Sequence, residues 1–142
     1  MNAIEQLTRQ HRHCDTSLVQ AERAVRQGDW LAANQAFQRF EHDMLAHFAL
    51  EEEQLFPAFE TATGMSMGPT VVMRNEHAEM RETFLDLRDA LQAESGADYL
   101  GHSETLLILM QQHNMKEENI LYPMCAQHVA DVDALVSRAS AA

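Results

Sequence analysis

Four long segments of the chain carry apolar residues at every third or fourth position, and this periodicity constrains the fold more than any other feature. Glycine and proline, with five and three copies in 142 residues, fall between the periodic segments. Such a period places the apolar residues on one face of an α-helix. We therefore predict an all-α fold, an up-down-up-down four-helix bundle, with residues 1–142 forming a single domain.

Short interruptions mark the ends of the predicted helices. "QGD" at 27–29 and "ESGA" at 94–97 are the turns of two hairpins, and "TGMSMGPT" at 63–70 joins the hairpins. Pro57 is expected to end the second helix, because proline lacks a backbone donor and crowds the preceding turn. Pro69 suits the first turn of the third helix. "ADVDALVSRA" at 130–139 indicates a possible short extra C-terminal helix.

Charge and composition exclude several classes of function. Ten basic and twenty-two acidic residues give a formal net charge of −12, which disfavours nucleic acid as a partner. The longest apolar run, "LLILM" at 106–110, is far shorter than the roughly 20 residues of a membrane span. The first residues lack the pattern of a signal peptide. Cys14 and Cys125 have no paired metal-ligand spacing, so we predict free thiols and a cytoplasmic protein.

Each apolar stripe carries one histidine, and the four are His11, His47, His77 and His113. The first two lie 17 and 19 residues from Gly28, and the last two lie 19 and 17 residues from Gly96. At about 1.5 Å of rise per residue, each lies roughly 25 to 28 Å from its turn. The four imidazoles are therefore expected at one level of the bundle.

Two similar segments, "HFALEEEQLFP" at 47–57 and "HNMKEENILYP" at 113–123, place a glutamate four residues after a histidine. Four residues turn an α-helix by about 40°, so Glu51 and Glu117 share the inner face with their histidines. The following residues, Glu52 and Glu118, are turned by about 140° and are expected to face water.

Buried imidazoles and carboxylates without partners would be costly for a small domain, and a metal site resolves this conflict. Nitrogen and oxygen ligands without thiolate suit iron, manganese or zinc. Two carboxylates able to bridge favour a pair of ions about 3.5 to 4 Å apart. The predicted metal ligands are His11, His47, Glu51, His77, His113 and Glu117.

The chain resembles a hemerythrin-like, or HHE cation-binding, domain of the bacterial single-domain type. The resemblance covers about residues 7–125 and is carried by "QHRHCD", "HFALEEEQLFP", "MRNEHAEMR" and "HNMKEENILYP". It implies that the six predicted ligands hold two iron ions with an oxo or hydroxo bridge, for which zinc or manganese would be substitutes. The positions where oxygen carriers have a further third-helix histidine are Met73 and Arg81 here. The set is more similar to bacterial proteins linked to repair of iron centres and to an iron-sensing ubiquitin-ligase subunit.

The resemblance implies a non-haem diiron protein that binds, senses or reacts with dioxygen, nitric oxide or peroxide, or that handles iron. The alternatives are a diiron oxidase or peroxidase and a metal-free helical interaction module. A binding or sensing protein is favoured over an enzyme, and the sequence identifies no protein partner. Whether Glu118 or Tyr122 contributes to the site is left open at this point.

Overall fold

The computed structural model describes residues 1–141, which form seven α-helices and two short π-helical segments. The α-helices are α1 (Ala3–Arg26), α2 (Trp30–Leu50), α3 (Phe56–Thr63), α4 (Pro69–Gln92), α5 (Gly96–Lys116), α6 (Tyr122–His128) and α7 (Val132–Ala141). The π-helical segments are Glu51–Leu55, between α2 and α3, and Glu117–Leu121, between α5 and α6. The predicted all-α bundle with a short C-terminal helix is thereby confirmed.

Two antiparallel hairpins, α1 with α2 and α4 with α5, form the bundle. The first turn contains Gly28 at φ +70°, a left-handed conformation that glycine adopts without strain, and the Asp29 side chain caps α2 by accepting from the Ala32 N–H. In the second turn Ser95 caps α5 by accepting from the Asp98 N–H. Helix α1 also packs against α5, and α2 against α4, so the four long helices enclose one core.

The prediction that Pro57 ends the second helix is wrong. The helical backbone continues through the first π-helical segment into α3, where Pro57 occupies the first turn. The Phe56 N–H bonds to the Glu51 carbonyl five residues earlier. In that register Pro57 would bond to the carbonyl of Glu52, which instead accepts from Arg74 Nη1 at 3.3 Å. The wide turn and the arginine therefore accommodate a proline inside a helical stretch.

Two apolar clusters occupy the two ends of the bundle. One lies near the hairpin turns and includes Phe37, Phe40 and Phe84, and the other lies around α3, α6 and α7 and includes Phe59 and Val136. In each long helix the inward histidine lies between residues of one apolar cluster and residues of the other. For α5, the residues of the second cluster lie in the π-helical segment that continues the helix. The polar centre is thus enclosed by hydrophobic packing above and below, which keeps out water.

Helix α7 lies along the start of α1. Its residues Val132 and Val136 are buried in the second apolar cluster. Three hydrogen bonds at helical spacing also join the two helices: Ala3 N–H to Asp133 Oδ1 (2.7 Å), Gln6 Nε2 to Ser137 Oγ (2.8 Å) and Gln10 Nε2 to Ser140 Oγ (2.9 Å). Across residues 1–141, no helix is both long and apolar enough to cross a membrane.

Candidate metal centre

The structure brings all six predicted ligands to one buried place. They fall into two groups in which the candidate ligand atoms lie within 4.8 Å of one another. The groups are Glu51, His77, His113 and Glu117, and His11, His47 and Glu117. Glu117 belongs to both groups, so its carboxylate lies between the two.

Glu117 Oε1 is the atom on which the imidazoles converge. It lies 3.1 Å from His11 Nε2, 3.1 Å from His113 Nε2 and 4.0 Å from His47 Nε2. Glu51 Oε1 lies 3.0 Å from His77 Nε2 and 3.5 Å from His47 Nε2. Both carboxylates are fully buried. Each of the four long helices contributes one imidazole nitrogen to their surroundings.

The outward nitrogen of each imidazole, Nδ1, meets an acceptor from a neighbouring helix. The four pairs are His47 with Gln10 Oε1 (2.7 Å), His77 with Glu52 Oε2 (2.6 Å), His113 with Glu76 Oε1 (2.9 Å) and His11 with Glu118 Oε2 (2.7 Å). These oxygens only accept, so each Nδ1 donates and each Nε2 keeps its lone pair for the interior. Each long helix contributes one inward imidazole. The same helix, or the π-helical segment that follows it, also contributes one acceptor to the imidazole of the next helix. We call this closed set of bonds the acceptor ring.

The prediction that Glu52 and Glu118 face water is therefore wrong. A turn of 140° aims each side chain at the neighbouring helix, where it bonds to an imidazole, and their side chains are only 21 and 29% exposed. Sequence reasoning assigned no role to Gln10 or Glu76, although both lie in segments that carry the resemblance. Their signal is that each directly precedes a histidine on an inner face, and adjacent helix residues lie about 100° apart.

Basic side chains neutralise two of the ring carboxylates from outside. Arg81 donates twice to Glu52, at 2.9 and 3.1 Å, and Lys116 donates to Glu76 at 2.5 Å. Burial raises the pKa of Glu52, but the hydrogen bonds from Arg81 and His77 outweigh it and lower that pKa below its usual value. The pKa of Glu76 is lowered in the same way. Both carboxylates are thus held ionised as acceptors for the imidazoles.

Tyr122 reaches the centre because of the second π-helical segment. Its hydroxyl lies 2.7 Å from Glu51 Oε2, 2.9 Å from Glu117 Oε1 and 3.0 Å from His11 Nε2. In an α-helix a side chain five residues after Glu117 would point about 140° away, but the wider π turn puts both on one face. Burial, with the charges of Glu117 and Glu51, raises the pKa of the phenol well above its usual value, so it is a hydrogen-bond donor.

In the first of the two similar segments, residues 47–57, phenylalanine stands at the position that this tyrosine has in the second segment, residues 113–123. Phe56 lies five residues after Glu51, and its ring stacks on His77 with centroids 5.8 Å apart. Phe48 stacks on the same imidazole at 3.9 Å. The two halves of the centre therefore differ: His77 is enclosed by aromatic rings, whereas the His11 side carries a phenol hydroxyl.

The electrostatics of the centre reflect the close approach of its two carboxyl groups. Burial and the charge of Glu117 raise the pKa of Glu51. Burial also acts to raise the pKa of Glu117, but hydrogen bonds from Glu51 and the imidazoles, with the charge of His113, lower it well below its usual value. Burial lowers the pKa of His113, yet the Glu117 carboxylate outweighs it and raises that pKa to about 9. Protons on the imidazoles thus balance the charge of the buried carboxylates, and a bound cation would take the place of the Nε2 protons.

Buried atoms left without a partner test whether the residues fit a metal. Glu51 Oε1, His77 Nε2, His113 Nε2 and Glu117 Oε2 make no hydrogen bond to any residue of 1–141. The contact of 3.0 Å between His77 Nε2 and Glu51 Oε1 is close but not aligned as a hydrogen bond. All four atoms belong to one candidate ligand group. Several potential metal-ligand atoms without hydrogen-bond partners, gathered in one buried place, are expected where a cation binds. The residues therefore fit a metal ion.

Replacing one ring acceptor is expected to weaken metal binding without touching a candidate ligand. Glu76→Ala removes both the acceptor and the charge behind His113 and should lower metal affinity roughly 10- to 100-fold. Glu76→Gln keeps an acceptor like Gln10 and should lose less. Competition with a coloured chelator measures the affinities. The exposed Glu79→Ala on the same helix is the control, and an equal loss there would contradict a specific role for Glu76.

The family model described as Hemerythrin HHE cation binding domain matches residues 2–125 of the chain. The match includes all six candidate ligands and the acceptor ring and ends before α7. Comparison with curated proteins and with solved structures gave no match.

Proposed function

Because the chain belongs to the hemerythrin HHE cation-binding domain family, we propose that it is a non-haem diiron protein that binds, senses or reacts with a small oxidant. Dioxygen, nitric oxide and peroxide are the candidate ligands. We place the protein in the cytoplasm, which the two free, buried thiols of Cys14 and Cys125 support.

The observation that carries this proposal is the inward orientation of all four imidazoles around two buried carboxylates. The acceptor ring fixes the proton of each imidazole on Nδ1, so every Nε2 offers a lone pair to the interior. The acceptor partners are the arrangement found behind histidines that bind metals. A metal-free interaction module has no need of four imidazoles prepared in this way.

The donor set and its division into two groups support a pair of iron ions. The donors are imidazole nitrogens and carboxylate oxygens without thiolate, and Glu117 is shared between the groups. Zinc and manganese suit the same donors and are the possible substitutes. When bound, two iron ions would supply an open position for a small oxidant and the electrons to reduce it. Glu117 would hold both ions, with Glu51 and the four imidazoles completing the site.

The residues around the centre favour sensing or reaction over reversible oxygen storage. Met73, a position where an oxygen carrier has a histidine, is buried among apolar side chains, and Arg81 pairs with Glu52. Neither brings a fifth imidazole to the centre. One more position would then stay open than in an oxygen carrier, which suits reaction or sensing. The Tyr122 hydroxyl lies where it can donate a proton to a bound ligand or to a carboxylate.

The test is metal analysis followed by anaerobic reduction and re-oxidation of protein purified without added metal. We expect about two iron ions per chain and an oxo-to-iron absorption that disappears on reduction and returns in air. Fewer than about one iron per chain and no such absorption would contradict the proposal. Anomalous scattering at the iron edge would identify the ions directly.

Removing an imidazole separates metal binding from the alternative of a metal-free module. His47→Ala and His113→Ala should lower the metal content and the thermal stability of the metal-loaded protein, because binding to the native state is linked to stability. The loss should reach roughly 10 °C when loading contributes about 2.7 kcal/mol. Calorimetry with and without chelator measures it. If either variant is as stable as the parent protein, the module alternative is favoured.

The second candidate function is a diiron oxidase or peroxidase, and the buried phenol of Tyr122 is the observation in its favour. A tyrosine 2.7 to 3.4 Å from two carboxylates and two imidazoles is placed to exchange a proton or an electron with the centre. Sustained turnover of peroxide or ferrous ion, lost in Tyr122→Phe, would identify this activity.

A further inference from the structure

We propose that a pocket between α1, α2 and α7 is the entrance through which a small uncharged ligand reaches the His11 and His47 side of the centre. The claim that the ligand binds at the centre rests on the proposed function. The pocket itself is defined by the packing of α7 and can be tested without metal. It lies partly outside the family match, because α7 follows residue 125.

The pocket extends from the surface to the imidazole of His47. Its volume is about 370 Å³, more than ten times the ~30 Å³ that a water molecule occupies in the liquid. Helix α1 contributes Gln10 and Cys14, α2 contributes Ala46 and His47, and α7 contributes Ala139. A diatomic molecule therefore has room to pass between the helices to an imidazole of the centre.

Most of the surface that lines the pocket is apolar, although Arg9 and Asp43 also border it. Cys14, Ala46, Leu50 and Ala139 give it an aliphatic and thiol surface. At the rim His13 is bonded to Asp43, with 2.8 Å between Nε2 and Oδ2, so this pair offers little free charge to an anion. An apolar passage favours dioxygen or nitric oxide over a hydrated ion, which would lose its water without compensation.

Gln10 lies where the pocket, α7 and the acceptor ring meet. Its amide oxygen accepts from His47 Nδ1 at 2.7 Å, and its amide nitrogen donates to Ser140 at 2.9 Å. It is the only uncharged acceptor of the ring, whose other members are glutamates. A passage beside Gln10 therefore reaches the centre next to its one uncharged ring acceptor, with Arg9 and Asp43 as the charged side chains of the lining.

The opposite side of the centre is closed to such a ligand. His77 is fully buried and lies between the rings of Phe48 and Phe56. Behind His113 the ion pair of Lys116 and Glu76 covers the outward nitrogen. A route there would have to displace an aromatic ring or break an ion pair.

A second groove, between α1 and α5, is the rival route. It borders His11 and is lined by Glu118, Asp15 and Met115, with polar residues around them. A lining with two carboxylates, Arg12 and several amides suits a hydrated ion better than an apolar diatomic molecule. Blocking the two routes separately distinguishes them.

The two cysteines test the pocket without any metal. Cys14 lines the pocket and Cys125 does not, yet both are 2% exposed and burial raises the pKa of each to about 12. Methyl methanethiosulfonate, a small uncharged reagent, should modify Cys14 roughly tenfold faster than Cys125, because Cys14 borders a pocket with room for the reagent. Ala46→Phe, which fills the pocket from an exposed position, should slow Cys14 to the rate of Cys125. Equal rates in the parent protein would overturn the proposal.

Nitric oxide binding to the iron-loaded, reduced protein tests the destination. Stopped-flow measurement should show Ala46→Phe binding nitric oxide roughly tenfold more slowly, while iron content stays unchanged. Ala78→Phe is the matched control, because Ala78 is also an exposed alanine beside an inner histidine, on α4. Slowing by Met115→Trp instead would assign the route to the rival groove and overturn the proposal. If the protein binds no iron, the proposed function fails while the cysteine rates still report on the pocket.

Discussion

For the proposed two-ion centre, Glu117→Ala is expected to remove both metal ions, whereas Glu51→Ala should leave about one. Glu117 belongs to both groups of candidate ligands, and Glu51 belongs to one. Without Glu51 the group of His11, His47 and Glu117 remains complete. Without Glu117 each group loses a carboxylate, so less negative charge compensates a buried cation at either place.

Metal analysis of the two variants after identical purification measures this difference. Glu53→Ala, in the same acidic run but exposed, is the control and should keep the full metal content. The Glu117 variant should also unfold roughly 10 °C lower than the metal-loaded parent, because loss of ligand linkage removes about 3 kcal/mol. Equal metal content in the Glu51 and Glu117 variants would contradict the shared role of Glu117.

Phe48→Ala is expected to destabilise the fold strongly and to lower metal binding as well. The ring is buried, stacks on His77 at 3.9 Å and on Phe84 at 6.2 Å, and carries the Arg81 guanidinium over its face. Truncation of a buried phenylalanine costs about 3 to 5 kcal/mol, which corresponds to roughly 10 to 20 °C in this size range. The cavity would also free the His77 imidazole to rotate.

Phe40→Ala is the matched control, since Phe40 is equally buried but lies two turns closer to the hairpin turn. Both variants should lose comparable stability in thermal unfolding of the metal-free protein. Only Phe48→Ala should also lose metal affinity in chelator competition. If Phe40→Ala weakens metal binding as much, stacking on His77 contributes nothing specific to the site.

The helices and the level of the histidines could be predicted because both depend on α-helical geometry alone. Counting from Gly28 and Gly96 placed four imidazoles at one height, and the structure brings these side chains together. The predicted C-terminal helix is likewise present as α7. Local periodicity and a fixed rise per residue suffice for such features.

The π-helical segments could not be predicted, because their stability depends on tertiary contacts rather than on local propensity. Their consequence is large: five residues of regular α-helix would turn Tyr122 about 140° away from Glu117, whereas its hydroxyl lies 2.9 Å from Glu117 Oε1. The continuation of the helix past Pro57 has the same cause. The hydrogen-bond partner of Glu52 could not be predicted from the sequence either, because the way two helices pack decides which of their side chains bond.

The closed form of the acceptor ring makes the four long helices depend on one another. Withdrawal of any one helix removes an imidazole from the interior and also releases the Nδ1 of its neighbour, so the damage spreads in both directions. Partial unfolding of a single helix is thus penalised twice, and the bundle would open as one cooperative unit. When the bundle opens, the imidazoles of such a centre are therefore released together rather than one helix at a time.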